Sequence, residues 1–577
     1  MTYLKSLEIE NMDVNGRKKM ISIWFFYTIL PLVMMFIVLA TASNKIWAFI
    51  SILPIWIIAA VITYFLLPSR NLLSILWGNT FYGIFYLTLA SQAYDDDDDA
   101  SSKFLMVGIP ALVILFLVCI GGSLHSHMSV KPTWDSIPKE YSKSTEAPTF
   151  KRNETPIALA PKTVINRVRK ASSDIPNTQY YSISGEIQSQ YYKGKPVYVI
   201  PIEYNGFFQS NRAGEIPGYF IIDATRQNAT PRFVKKPYYY AVSGYFNKDA
   251  SRQIYRHNPS WLSLDTPQLE IDDNGDPYWV QTVYKSEPFS HRVNFSRLHV
   301  AVLNARTGVT KTYSVHNMPN FIDEGITTGI ADKINNDFGK YKYGFWNWSK
   351  TGIMKPTGNG VENGVTSVFN KDGSISYFTD FTTDRTGADS ALGYSMINAR
   401  TGKLTFYRTN NIMDSDGAKN NADQDYKAQK WHANMPILYN VNNRPTWVMT
   451  ILDSTHAIRG YYYLDASDQS VYGTGSNPTS ALDSFRQALV DSGTSAGNTP
   501  GEKKKNFSGV IDRAAVVSNK NKAMFMLKGK NVIFTVNTND YDFANLIRPG
   551  DKVKFSANVV KGKSIGNVNE FEDESLD

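Results

Sequence analysis

An internal repeat restricts the fold of this chain more than any other feature. Leu303-Asn304-Ala305-Arg306-Thr307-Gly308 returns as Ile397-Asn398-Ala399-Arg400-Thr401-Gly402, and shorter copies stand at Ile222-Asp223-Ala224 and Leu464-Asp465-Ala466. Self-similarity of this kind means that one supersecondary unit is used several times. Each copy has an upstream partner in which a turn feeds a strand: Lys193-Gly194-Lys195-Pro196, Asn274-Gly275-Asp276-Pro277, Lys371-Asp372-Gly373-Ser374 and Asn442-Asn443-Arg444-Pro445. Glycine supplies the positive φ of tight turns, and the alternating aromatic and β-branched residues that follow suit a half-buried pleated surface. Gly275, Gly308, Gly373 and Gly402 are therefore the expected structural turns, and four antiparallel β units are expected between Ser184 and Tyr472. Three stretches read as helices packed on them. Asn477 before Pro478 is an N-cap signature followed by Leu482, Phe485, Ala488 and Leu489, and shorter patterns run from Thr163 to Lys170 and from Ile326 to Phe338. Strands with interspersed helices of this kind give an α+β array.

Ahead of the repeats lie four apolar stretches, at residues 20–42, 46–67, 72–93 and 104–120. A span needs roughly 20 apolar residues, which the first two reach. The third is interrupted by Asn79 and the fourth is short. The reading is a multi-pass protein of the cell membrane with a four-helix transmembrane domain over residues 1–125. Arg17, Lys18 and Lys19 precede the first stretch, Asp95 to Asp99 separate the third from the fourth, and Lys131, Lys139 and Lys143 follow the last. Lysine and arginine stay on the cytoplasmic side. Four spans then place the large domain in the cytoplasm, and the loss of one span would place it outside.

Residues 126–161, rich in Pro, Ser, Thr and Lys, read as a linker that holds the array off the bilayer. The repeat domain occupies 162–492. After a second linker from Ser492 to Lys505, five short strand patterns over 506–572 read as a small OB-like barrel.

Composition narrows the chemistry. The net charge of +8 is concentrated between Lys131 and Lys170, where attraction to anionic lipid heads accounts for it better than nucleic acid does. The single cysteine, Cys119, lies in the fourth apolar stretch, so the large domain has neither thiols nor disulfides. The eight histidines are scattered, with His125 and His127 the one close pair, and no metal, phosphate-loop or nucleophile motif appears. No cofactor, metal or catalytic residue is nominated. The Asp-rich runs at Asp272 to Asp276 and Asp414 to Asp416 resemble fragments of calcium loops but lack the terminal Glu in register. Aromatic clusters remain. Sheet packing explains most of them, and Tyr343, Trp346 and Trp348, with Phe525 and Phe534 in the barrel, are the candidates for recognition.

The hairpin-plus-turn units, with their apolar-Asn/Asp-Ala and often Thr-Gly endings, resemble the last strands of PepSY-type domains. The whole arrangement is similar to multi-span membrane proteins of Gram-positive bacteria and their phages. The resemblance covers Ser184 to Tyr472, and the first and last copies lack the Thr-Gly ending. It implies a non-catalytic binding or inhibitory module near the envelope. The expectation is a membrane-anchored binding or scaffold protein meeting a protein partner; the alternative is an envelope hydrolase, or a regulator of one, acting on peptide or glycan.

Overall fold

The structure is a computed structural model that describes residues 25–41, 44–68, 71–91, 99–142, 159–285, 289–358, 364–384, 390–409, 411–441, 444–492, 502–517, 522–538, 540–560 and 565–576. The chain divides into two compact units. One comprises Met1–Thr145, Asn153–Ile437 and Val448–Arg459, and the other Glu146–Arg152, Leu438–Trp447 and Gly460–Asp577. Arg17 to Lys19, most of the Asp95 to Asp99 run, Lys143 and much of both expected linkers lie outside the described residues.

The expectation of four spans is corrected. Among the described residues one helical segment, Leu105–Met128, is long and apolar enough to cross a membrane. It belongs to the helix Asp99–Met128, around the shortest of the four apolar stretches. The helix at the first stretch, Ile29–Thr41, has 13 residues. At 1.5 Å per residue it falls short of a hydrocarbon core of about 30 Å. Lys45–Leu66 contains Pro54 and contributes only the short apolar segment Ile57–Leu66. Leu72–Ser91 carries Asn79, which accepts the Leu30 N–H at 2.8 Å and donates to the Phe26 and Ile75 carbonyls, both at 2.8 Å. That buried amide ties helices to one another, which is a use of polarity that hydropathy alone misreads.

The start of the first expected linker also folds. Val130–Asp135 is a short helix, and Lys139–Tyr141 adds a parallel strand beside Leu404–Arg408. The Trp134 indole donates to the Phe338 carbonyl at 2.9 Å. This stretch is fastened to the array rather than spacing it from the helices.

The array is built on four antiparallel meanders of four strands, the first sheet being extended by Tyr181–Ile183 and the third by Lys139–Tyr141 and Met354–Pro356. The first runs Gln188–Tyr192, Lys195–Tyr204, Tyr219–Asp223 and Arg232–Val234; the second Gln268–Ile271, Pro277–Tyr284, Leu298–Asn304 and Thr310–Ser314. The third runs Thr366–Phe369, Ile375–Thr383, Ala391–Asn398 and Leu404–Arg408; the fourth His432–Val441, Arg444–Leu452, Ile458–Asp465 and Tyr472–Gly475. A helix precedes each: Pro161–Lys170, Ala250–His257, Thr328–Lys340 and Ser415–Asp425.

The repeated motif has a physical explanation at each position. Asn304 Oδ1 accepts the N–H groups of Arg306 and Thr307 at 3.0 and 2.9 Å, and Asn398 Oδ1 those of Arg400 and Thr401 at the same distances. Asp223 accepts from Thr225 and Arg226 at 2.9 and 3.1 Å, and Asp465 from Ser467 at 2.8 Å. Only a short side chain with an acceptor oxygen makes such a turn. The alanines are buried, and each sends its N–H back to the head of an earlier strand. Ala224 reaches the carbonyl of Pro196 at 3.1 Å, Ala305 that of Pro277 at 3.0 Å, Ala399 that of Ile375 at 2.9 Å and Ala466 that of Pro445 at 2.8 Å. Gly308 and Gly402 close the turns with φ of 76° and 73°, a region where a side chain is strained. Gly275 and Gly373 turn the preceding hairpins at 77° and 84°.

The alanine carbonyls are used as well. Ala224 accepts the Leu159 N–H, Ala305 accepts those of Tyr239 and Tyr240, and Ala399 accepts that of Ile326, at 2.7 to 3.0 Å. Each donor lies in the segment leading to its own repeat's helix, so in the first three repeats the approach to the helix is tied to the turn before the last strand. Trp279, Phe220 and Leu303 pack between the first two sheets, while Ile330, Ile334 and Phe338 of helix Thr328–Lys340 pack with Val300, Phe381 and Phe406 of the second and third. Each such side chain contributes about 1.5–3 kcal/mol on burial.

In the second unit, helix Pro478–Asp491 starts at a reciprocal cap: Asn477 Oδ1 accepts the Ser480 N–H at 2.9 Å and Ser480 Oγ accepts the Asn477 N–H at 3.3 Å. It buries Leu482, Phe485 and Leu489. The five terminal strands, Glu502–Val517, Lys522–Leu527, Ile533–Asn537, Lys552–Val560 and Ile565–Asp573, close into a barrel in the order first, second, third, fifth, fourth. Third and fifth pair in parallel. Residues 502–505, expected in the linker, are part of the first strand, with Glu502 opposite Val560.

Candidate functional site

The first strand of every meander has a strand partner on one side only, and in the first unit residues of all four line one cleft. Ser189, Gln268, Thr366 with Ser367, and Asn434 come from the first, second, third and fourth repeats in turn. Helix Pro161–Lys170 contributes Lys162, Asn166 and Arg169, and the cleft has a volume of about 410 Å³. That helix starts with Pro161, whose missing N–H costs nothing at a helix head, and is held by Thr163 Oγ1 donating to the His456 carbonyl at 2.7 Å.

The floor is polar in an unusual way. Gln188, Ser189 and Gln190 are consecutive strand residues and all are buried. Gln190 acts as a false strand, donating to the Ile271 carbonyl at 2.6 Å and accepting its N–H at 3.0 Å. Beneath the floor Glu324 accepts from the Ser367 hydroxyl at 3.0 Å and from the Gln188 amide. Glu270 accepts the backbone N–H groups of Asp323 and Glu324 at 2.8 and 3.1 Å. Burial pushes the Glu324 carboxyl up to about 8 and Asp323 to about 6, and raises Glu270 well above the ordinary range. Thr366, which faces the cleft, is buried and its hydroxyl has no hydrogen-bond partner. Gln268 Oε1 likewise has none. A buried polar atom left unmade costs about 1–3 kcal/mol.

A second cleft of about 450 Å³ shares Gly185, Glu186, Ile187 and Gln268 with the first. It is lined by Glu203 and Trp279 as well. Glu203 accepts the Ser243 N–H at 3.0 Å and the Ser243 hydroxyl, and burial pushes its carboxyl up to about 7, the neighbouring Glu186 adding to the rise.

The sequence candidates separate. Tyr343, Trp346 and Trp348 are exposed, whereas Phe525 and Phe534 are buried in the barrel core with Phe555 and present no ring at the surface. Tyr461, Tyr462 and Tyr463 are likewise core. Asp414 is a helix N-cap, accepting the Gly417 N–H at 2.9 Å, and Asp272 Oδ1 accepts the N–H groups of Asn274 and Asp276 inside a hairpin turn. No group of three His, Cys, Asp or Glu suited to a metal occurs among the described residues. Two Ser–His contacts occur among the described residues, Ser74 Oγ to His291 Nε2 at 2.7 Å and Ser129 Oγ to His125 Nε2 at 3.3 Å, and no carboxylate orients either ring among them. Sequence reasoning missed Ser189, Thr366, Glu203 and Glu324. The one available signal was the Gln188-Ser189-Gln190 run inside a strand pattern. No family model, curated protein or solved structure matches the chain.

Proposed function

We propose that this is a membrane-anchored binding protein whose repeat array receives a protein partner in the cleft between the first strands. The observation that carries the reading is the meeting of four one-sided strands around a buried, unpaired Thr366 hydroxyl. Extended polypeptide is the ligand that suits strand edges, since its backbone supplies donors and acceptors at the strand spacing. The anchor in this reading is Leu105–Met128, and Lys131 and Lys139 beyond it favour the cytoplasmic side for the array.

The test is selection of peptides from a random library on the full chain in nanodiscs, followed by binding to Ser367→Trp, which fills the cleft, and to Thr366→Val. Peptides that lose at least tenfold in affinity for Ser367→Trp support the reading. Selected peptides that bind both variants as well as the parent would sink it.

A hydrolase is the second reading, favoured by Glu186 and Glu203 lining one cleft with Glu203 held protonated toward neutral pH. A carboxyl raised in this way is suited to general acid work. Hydrolysis of a peptide or glycan panel that disappears in Glu203→Gln would favour it over binding.

A further inference from the structure

We propose that two aromatic chains on the array enter the lipid headgroup layer beside the ends of the helices, so that the array lies against an anionic bilayer. The inference rests on the membrane-anchored reading. The first chain starts at His127, in the last turn of Asp99–Met128. Phe345 lies 5.3 Å from it between ring centroids, Trp346 lies 5.1 Å from Phe345, and Trp348 lies 5.7 Å from Trp346. The second starts at Tyr64, in the last turn of Lys45–Leu66, and passes through Phe246 at 6.4 Å and Phe207 at 6.0 Å to Phe208 at 5.4 Å.

Exposure rises outward along the first chain from Phe345, and the second ends on its most exposed ring. Trp346 is 59% exposed and Trp348 82%, and Phe208 is 70% exposed. Soluble surfaces rarely leave so many large rings uncovered in contiguous groups.

The two starting points lie at one end of the helical bundle. Leu72–Ser91 begins where Lys45–Leu66 ends, and His291 reaches Ser74 in its first turn while Arg292 reaches the Ser126 and His127 carbonyls. On the other side Tyr255 donates to the Pro68 carbonyl at 2.6 Å and Arg252 to that of Tyr64. The array is therefore fixed at the level where a crossing helix leaves the hydrocarbon. Tryptophan and tyrosine favour that level because an apolar ring with a polar tip matches the boundary. Cations accompany them: Lys342 sits 5.3 Å from the Tyr343 ring centre, and Lys131 and Lys350, ion-paired with Asp135 and Asp384, flank the same loop. Anionic headgroups attract such residues by about 1 kcal/mol each.

The test uses the full chain with Cys119→Ser in nanodiscs of phosphatidylcholine and phosphatidylglycerol. Nitroxide labels are placed by Trp348→Cys and Phe208→Cys, with Tyr472→Cys as a control. Flotation after carbonate washing first reads whether the chain is anchored; a chain that does not float overturns both the anchor and this inference. In floating protein, the two labels are expected to show a several-fold higher ratio of oxygen to nickel accessibility than the control, rising with the phosphatidylglycerol fraction. Labels as accessible to nickel as the control would overturn this inference and leave the anchor standing. Spin–spin broadening at Trp348→Cys would also overturn it, since the aromatic face would then meet a second copy of the chain.

Discussion

Arg292 donates its Nε–H to the Ser126 carbonyl at 2.5 Å and an Nη2–H to the His127 carbonyl at 2.9 Å. The last carbonyls of a helix have no partner within it, and a guanidinium with several donors in a fixed fork satisfies two at once. Arg292→Ala is expected to destabilise this junction by about 1–3 kcal/mol and to raise amide hydrogen exchange between residues 124 and 130. Lys at the same position offers no fork and should restore little. Unchanged exchange in Arg292→Ala would remove the junction from the account.

Gly308 and Gly402 occupy matching turns but differ in surroundings. A Cβ added at Gly308 would meet the Tyr240 hydroxyl at 2.6 Å and its ring at 2.7 Å, whereas at Gly402 the nearest atoms, of Ile326, are 3.5 Å away. Both alanine variants carry the left-handed strain of roughly 1–2 kcal/mol. Gly308→Ala should cost a further ~1–3 kcal/mol from overpacking, read as the larger drop in melting temperature. Equal drops would mean that the ring moves away freely.

Asp414→Ala should lower stability by about 1 kcal/mol through the lost cap on Ser415–Asp425, while Asp414→Asn retains an acceptor and most of that stability. The melting temperature of the parent should be the same with millimolar calcium as without. A calcium-dependent rise abolished in Asp414→Asn would restore the metal reading.

The buried carboxyls predict a pH dependence with a definite sign. Glu203 and Glu324 are raised from 4.5 to about 7 and about 8 by burial. A carboxyl whose folded value lies above its unfolded one contributes stability that is complete below the unfolded value and lost as pH rises through the folded one. Stability should therefore fall between pH 4.5 and 8, by up to about 3 kcal/mol for Glu203. Glu203→Gln keeps an acceptor for Ser243 and should flatten the profile, with its largest gain over the parent near pH 8. A parent profile that rises across this interval would contradict the burial of these groups in neutral form.

How much of this was legible in the sequence depends on the distance over which each feature is decided. Asn304, Ala305 and Gly308 act within a few residues, so their pattern survives in the sequence and marks the meanders. Asn477 and Ser480 announce a helix for the same reason. Asp414 carries the same kind of local signal, but an acidic residue beside serine and glycine serves a cap or an ion equally well until the helix behind it is seen. Asn79 looks like an interruption in an apolar span because its partners, Leu30 and Phe26, lie 49 and 53 residues away. The cleft is further removed still. Lys162, Gln268, Thr366 and Asn434 meet only through the stacking of whole sheets, and no spacing between them carries information. Phe525 and Trp348 are equally aromatic on paper, and the barrel alone decides that the first is core.

The alanine carbonyls that accept from Leu159, Tyr240 and Ile326 give the chain a natural grain. Each bond joins the approach to a repeat's helix to the turn before its last strand, so residues 159 to 224, 240 to 305 and 326 to 399 form loops that each have a latch of their own. Opening one need not open the next, and native-state exchange should resolve these segments as separate cooperative blocks. During synthesis each can latch as soon as its own alanine leaves the ribosome, before the following repeat exists. A chain built in this way has a latch within each of its first three repeats, and a nick between two latches should leave both bonds in place.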